Sequence, residues 1–356
     1  MMSLEDLRQQ IDALDAELVS LLNQRAALSR EVGRQKASSP DARYFAPERE
    51  RDLISRLVRE QGGGDLPKEA LTAIYREIIS ASIALQKPMT VAYWGPSGTF
   101  TEMAARLRFG SSAGYFDCST IPDVFGEVER ARADYGVVPV ENSTEGVVNY
   151  TLDMFHATSL KVCAEVYVNI VQNLLTRAKD LTQVKRLYSA PIVMAQCRSW
   201  LDTHLAHAEI VEVQPTSRAA ERAAQDPEGA AIAPARAAEV YNLPMLYTQI
   251  EDSPHNRTRF LVVGRNEPPP SGRDKTSLLF AVKNRPGSLG RALQSFEKHG
   301  VNLTMIASRP SKNAAWEYVQ FVDLQGHEKE AGVANALDEL RSHSIYVTVL
   351  GSYPEA

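Results

Sequence analysis

The sequence predicts a multidomain protein: an all-α helical region, an α/β region, and an α+β ferredoxin-like sandwich. Three observations carry this prediction. Apolar residues recur at helical spacing through residues 1–88. From Met89 onward, short apolar runs alternate with helical patterns through residue 265. After the proline-, glycine- and charge-rich stretch "RNEPPPSGRDK", residues 275–356 read once as strand, helix, strand, strand, helix, strand. A chain of 356 residues also exceeds one ordinary domain.

The first element is a single long amphipathic helix over residues 4 to 36. Leu4, Leu7, Ile11, Leu14, Leu18, Leu21, Leu22, Leu28 and Val32 fall on its spacing. At about 1.5 Å per residue it runs roughly 50 Å, longer than a small domain is wide. Its stripe therefore needs a return helix or a second chain. Further helices are expected at 47–61 and 67–86, separated by "QGGGDLP", and "QKP" ends the helical part. In the α/β region "MTVAYWG", "YGVVPV" and "AAIAP" read as strands, with helices at 100–109, 122–132, 193–206 and 217–225. Each run ends in small or polar residues, where such sheets place ligand-binding loops. The last region reads as "TSLLFAVK", helix 288–299, "VNLTMIASRP", "WEYVQFVDL", helix 328–341 and "SIYVTVLGS". That order is shared by many unrelated small domains.

Composition narrows the function classes. The formal charge of -5, from 39 basic and 44 acidic residues, leaves no broad nucleic-acid footprint. "MMSLEDLRQQ" lacks the blocks of a signal peptide, and no run of about 18 apolar residues offers a membrane span. Three scattered cysteines, Cys118, Cys163 and Cys197, fit reduced thiols in a cytoplasm. No CxxC, HExxH, GxGxxG or Walker spacing calls for a metal or nucleotide. A cofactor-free enzyme or a binding module is expected, with no nucleic-acid or membrane partner.

In the helical region Arg25 and Lys36, eleven residues apart, lie within about 20° of each other on one helix. Arg8, seventeen residues from Arg25, lies roughly 100° away and suits a pocket on a partner chain. Arg49 and Glu50 follow, then Ser82 and Gln86 at i and i+4. Singly, such residues are mostly solvated; together they form a pattern. "LRQQIDALD", "RAALSREVGRQK", "PERE" and "SASIALQ" resemble the all-helical chorismate mutases, as found at the N-terminus of bifunctional chorismate mutase–prephenate dehydratases. The resemblance implies that Arg25 and the partner subunit's Arg8 hold the two carboxylates of chorismate. It assigns Lys36 and Gln86 to the ether oxygen, Glu50 to the ring hydroxyl, and Arg49 and Ser82 to substrate binding. Some relatives carry an acid where this chain has Ala46.

"WGPSGTFTEMAA", residues 94–105, is a glycine turn opening a helix whose N-terminus, with Thr99, suits a carboxylate. "VPVENSTEGVV", 138–148, sets Asn142, Ser143 and Thr144 directly after a strand. With "NRTRF" these stretches resemble the prephenate dehydratase domain over residues 90–264, which implies a two-lobed, periplasmic-binding-protein-like fold. The resemblance makes Thr258 the catalytic residue for conversion of prephenate to phenylpyruvate and assigns Thr99, Asn142, Ser143, Thr144 and Ser189 to substrate binding. Arg259, with Arg257 as a second candidate, is expected to meet a prephenate carboxylate. Ser189, Gln196 and Cys197 match the family, whereas Ala190 and Ile192 stand where a histidine and a glutamine are common.

"RPGSLG" and "NLTMIASRP" occupy the two signature positions of the ACT regulatory domain. The resemblance implies a phenylalanine site between two such domains, formed by Gly287, Ser288, Leu289, Asn302, Ser308 and Arg309. Relatives read GAL and ESRP; here Ser288 and Ala307 replace the alanine and the glutamate. The reading is a homodimeric bifunctional enzyme with phenylalanine as effector. The alternatives are a prephenate decarboxylase, which retains the ring hydroxyl, and a sensor that has lost turnover.

Overall fold

The computed structural model describes residues 2–39, 43–61, 63–310 and 318–356. Contacts divide the chain into two compact units, one of Met1–Met89 with Phe109–Gly114, the other of Thr90–Arg108 with Tyr115–Ala356.

The first unit contains α1 (Leu4–Ala37), α2 (Pro47–Gln61) and α3 (Lys68–Gln86). A capping box starts α1: Ser3 accepts from the Asp6 backbone N–H, and the Asp6 carboxylate accepts from that of Ser3. α1 and α3 meet closely at Gly33, where an added Cβ would lie 2.8 Å from the Gln86 Cα. Only the C-terminal part of α1 is covered this way. All nine apolar stripe residues from Leu4 to Val32 are exposed, Leu14 by 60% and Leu28 by 69%. Gly62, in the expected break between the second and third helices, lies outside the described residues.

The second unit begins with β1 (Thr90–Trp94), α4 (Phe100–Phe109), β2 (Gly114–Cys118), α5 (Ile121–Glu129), β3 (Tyr135–Asn142), β4 (Gly146–Val147), α6 (Asn149–Met154) and β5 (Lys161–Asn169). The chain then crosses to a second lobe. This lobe holds β6 (Asn173–Thr176), β7 (Arg186–Ser189), α7 (Pro191–Gln196), α8 (Arg198–His204), β8 (Glu209–Glu212), α9 (Thr216–Gln225), β9 (Gly229–Ala233), α10 (Ala235–Tyr241) and β10 (Met245–Tyr247). It returns as β11 (Arg257–Gly264), which inserts antiparallel between β3 and β5. The two sheets have orders β2-β1-β3-β11-β5 and β10-β6-β9-β7-β8. Asn142 at the end of β3 and Thr258 at the start of β11 are register partners where the chain re-enters the first lobe.

The single helix expected at 193–206 is two helices. Cys197 leaves helical geometry at φ -117°, and the Asp252 carboxylate accepts from the Ser199 N–H, capping the second piece.

The C-terminal sandwich contains β12 (Asp274–Ala281), α11 (Ser288–Lys298), β13 (Leu303–Pro310), β14 (Tyr318–Gln325), α12 (Ala331–His343) and β15 (Tyr346–Pro354) in the expected order. Trp316 and Glu317, the expected start of its third strand, lie outside the described residues. The sheet order is β13-β14-β12-β15. This sandwich shares one core with the first lobe: Val138, Leu152 and Leu261 cluster with Leu279, Phe321 and Leu350. Gly351 allows the close approach, since a Cβ there would lie 2.3 Å from the Val162 carbonyl oxygen. Its strand starts inside the stretch expected as linker, because Asp274 and Lys275 are already paired and buried.

Candidate active sites

In the helical unit the three helices enclose a cavity of about 240 Å³. Arg25, Lys36, Arg49, Glu50, Ser82 and Gln86 all line it, with Leu28, Val32, Leu53 and Ile83 supplying apolar wall. Arg25 Nη1 donates to the Ser82 hydroxyl, which itself donates to the Ile78 carbonyl at 2.6 Å. Gln86 Nε2 donates to the Ser82 carbonyl at 3.3 Å, while its buried Oε1 has no hydrogen-bond partner among the described residues. Such an orphan oxygen is costly unless something donates to it. Burial, followed by the charges of Arg49 and Arg43, holds the Lys36 ammonium below the usual lysine range. Arg8 is absent from this lining. The site therefore concentrates positive charge beside apolar surface, suited to a compact dianion.

The second constellation lies at the junction of β3 and β11. Thr258 is buried, and Asn142 Nδ2 donates to its hydroxyl at 2.8 Å and to Asn256 Oδ1 at 2.8 Å. Ser143 Oγ donates to the His255 carbonyl at 3.1 Å and accepts from the Arg257 N–H at 2.9 Å. The Thr144 hydroxyl donates to Asn142 Oδ1 at 2.6 Å. Asn142, Ser143 and Thr144, expected at the substrate, thus brace the two strands around Thr258. Thr99 acts as a cap, accepting from the Glu102 N–H at 3.4 Å. At this helix start the Gly98 N–H is already taken by the Glu102 carboxylate at 2.7 Å. That carboxylate lies below its usual range: burial raises it, but the Gly98, Arg106 and Arg236 donors outweigh burial. Ser189 is fully buried at the end of β7. Of the two departures from the family pattern, Ala190 joins the second lobe's core and Ile192 is 47% exposed. Burial pushes the Cys118 thiol up to about 11 and Cys197 to about 12, so neither is a ready nucleophile.

Arg259 corrects the sequence reading. Side chains alternate across a strand, so Thr258 faces one side of β11 while Arg257 and Arg259 face the other. Arg259 is 4% exposed, with Nε on Glu165 at 2.7 Å, Nη1 on Asp323, and Nη2 on the Tyr353 hydroxyl at 2.9 Å. Lys275 completes the cluster, 2.9 Å from Glu165. Burial alone would weaken the charge on Arg259, but Tyr353, Asp323 and Glu165 hold it protonated. The guanidinium joins the first lobe to the C-terminal sandwich and is not available to a substrate carboxylate. Arg257 instead stacks over the Tyr167 ring at 4.4 Å.

In the sandwich, Gly287 adopts φ 78° at the start of α11, a conformation glycine takes without strain. Leu289 is exposed by 36% next to the buried Ser288. Asn302 Nδ2 donates to Gln325 Oε1 at 3.1 Å, and Ser308 donates to Gln320 at 2.6 Å. Arg309 also departs from expectation, pairing with Asp153 of α6 at 3.1 Å. Ala307, where relatives carry glutamate, packs on the shared core.

Asn256, which sequence reasoning passed over, is buried beside Thr258, both bound to Asn142, and its spacing of two from Thr258 was the available signal. Among the described residues no helix is long and apolar enough to cross a membrane.

Comparison with known proteins places each of the three regions in a family. Residues 7–87 match chorismate mutase type II, residues 91–268 prephenate dehydratase, and residues 276–342 the ACT domain. A bifunctional chorismate mutase/prephenate dehydratase of Aquifex aeolicus is 49% identical over 100% of this chain and 99% of its own. Among solved structures, a prephenate dehydratase from Arthrobacter aurescens in complex with L-Phe is 34% identical, with TM-score 0.70, covering 75% of this chain and 90% of that one. GqqA, described as a novel type of quorum quenching acylase, is 30% identical with TM-score 0.69, covering 75% of this chain and 98% of that one. One scaffold thus appears under two activities, and the mutase match together with the full-length relative decides between them. The chain belongs to the bifunctional chorismate mutase/prephenate dehydratases, an isomerase and a lyase on one polypeptide followed by an ACT domain.

Proposed function

We propose that the two reactions occur at the two constellations above, with separate sets of residues. In the helical cavity Arg25 and Arg8 of the partner subunit hold the chorismate carboxylates, Lys36 and Gln86 face the ether oxygen, and Glu50 takes the ring hydroxyl. Arg49 and Ser82 support the charge. A pericyclic rearrangement needs a compact conformer and stabilisation of a polarised, breaking C–O bond, which this cavity supplies without a nucleophile. The observation that carries the reading is the convergence of Arg25, Lys36, Glu50, Ser82 and Gln86 on one cavity.

At the second site prephenate loses its ring carboxylate as carbon dioxide. The electron pair of the broken C–C bond enters the ring and expels the hydroxyl, which leaves as water once protonated. Thr258 supplies the hydrogen bond to that departing oxygen.

A homodimer is supported by two features of α1. Its exposed stripe and the absence of Arg8 from the cavity both call for a second copy of the chain in an isologous pairing. Chains carrying Arg8→Ala should therefore lack mutase activity alone, as should chains carrying Arg25→Ala. Mixed after reversible dissociation, they should recover about a quarter of wild-type sites, because half the dimers are mixed and each has one complete site. No recovery would mean that each site is built from one chain. A cytoplasmic location completes the reading; export with a cleaved leader in the native host would contradict it.

The effector is proposed to be phenylalanine, bound where two ACT sheets meet along the open edge strand β13, near Gly287 and Asn302. The relative crystallised with L-Phe supports this reading. Calorimetry should detect phenylalanine binding at millimolar concentration or below, and a flat titration would leave the sandwich purely structural.

A further inference from the structure

The amide of Asn142 can be oriented in only one way. Its Oδ1 accepts from the Thr144 N–H at 2.9 Å and from the Glu145 N–H at 3.0 Å. Backbone N–H groups only donate, so the oxygen must face that turn and the NH₂ must face the opposite side. There Nδ2 uses its two hydrogens on Asn256 Oδ1 and Thr258 Oγ1. A group that only donates cannot receive the Thr258 proton. Thr258 accepts from Asn142, and no acceptor for its own proton is present among the described residues.

Resting on the reading that Thr258 is the donor to the leaving hydroxyl, we infer that Asn256 is a positioning residue for dehydration. Asn256 and Thr258 stand two residues apart on one face, and Asn256 is 4% exposed with its backbone carbonyl bound to the Ile170 N–H at 2.8 Å. Its Oδ1 takes the second hydrogen of Asn142 and prevents the amide from swinging about its oxygen anchor. The remaining hydrogen of Asn142 is thereby held on a lone pair of Thr258. This directs the hydroxyl proton away from the asparagines and makes it a stronger donor, because a hydroxyl that accepts a hydrogen bond gives its own proton more readily.

Steady-state kinetics of the full-length enzyme with prephenate test this. Asn256→Leu removes the acceptor at similar volume and should lower kcat about tenfold, the scale of losing a supporting hydrogen bond behind a reacting group. KM should stay within roughly twofold, since no substrate contact is removed. On a Thr258→Val background the same change should have no further effect. Asn142→Asp is the second variant: its carboxylate still accepts from Thr144 and Glu145, so the turn survives, but it turns an acceptor toward Thr258 and captures the proton. Its kcat should fall more than that of Asn256→Leu. Unchanged kcat in Asn256→Leu overturns the inference, as does an equal further loss on the Thr258→Val background. Wild-type turnover by Thr258→Val removes the reading beneath it, a distinct outcome.

Discussion

Lys36→Ala is expected to slow the chorismate rearrangement by about 10²–10³-fold, on the order of 3–4 kcal/mol, by analogy with removing one donor from a preorganised site. Turnover of added prephenate should be unaffected. The reason lies in the cavity. Lys36 sits among Arg25, Arg49 and Gln86, half-buried, where water competes poorly for the ether oxygen. Its pKa is lowered, first by burial and then by Arg49 and Arg43, so the proton it must donate is lost earlier than in an exposed lysine. The kcat/KM for chorismate should accordingly decline as pH rises through that lowered value, with the limb below the usual lysine range. A pH profile and single-substrate assays of the variant check both statements.

Arg259→Met is expected to destabilise the second unit by about 3–5 kcal/mol, because it strips one cation from a buried, balanced cluster. Two cations, Arg259 and Lys275, face two anions, Glu165 and Asp323, and all four are at most 5% exposed by side chain. Glu165 keeps Lys275, but among the described residues the Asp323 carboxylate keeps only the Ser277 hydroxyl. Thermal unfolding should show a fall in Tm of roughly 10 °C. Adding Asp323→Asn should recover much of the loss, since it removes the uncompensated charge. A variant of normal Tm but greatly raised KM for prephenate would instead restore Arg259 to the substrate.

The helical site was legible in the sequence because helix spacing alone brings Arg25 and Lys36, or Ser82 and Gln86, to one face. The "NRTRF" stretch was read with the wrong geometry. Adjacency in sequence suggested one pocket for Thr258 and Arg259, whereas the pleat of β11 separates them and makes Asn256 the neighbour of Thr258. Arg259 could not be placed without knowing that β14 and β15 pack against the first lobe, a tertiary fact that no local pattern encodes. Ala307 packs against the same shared core, another tertiary contact that its local sequence does not announce.

The central claim is that one polypeptide holds two separate sites, each with its own residues. It is tested most directly by supplying chorismate to an equimolar mixture of Lys36→Ala and Thr258→Val enzymes. Alone, the first should leave chorismate largely unconverted, and the second should stop at prephenate. Together they should form phenylpyruvate at about half the rate of the same total amount of wild type, because each supplies the site the other lacks. A mixture that forms no phenylpyruvate, or single variants that each lose both activities in parallel, would contradict the two-site account.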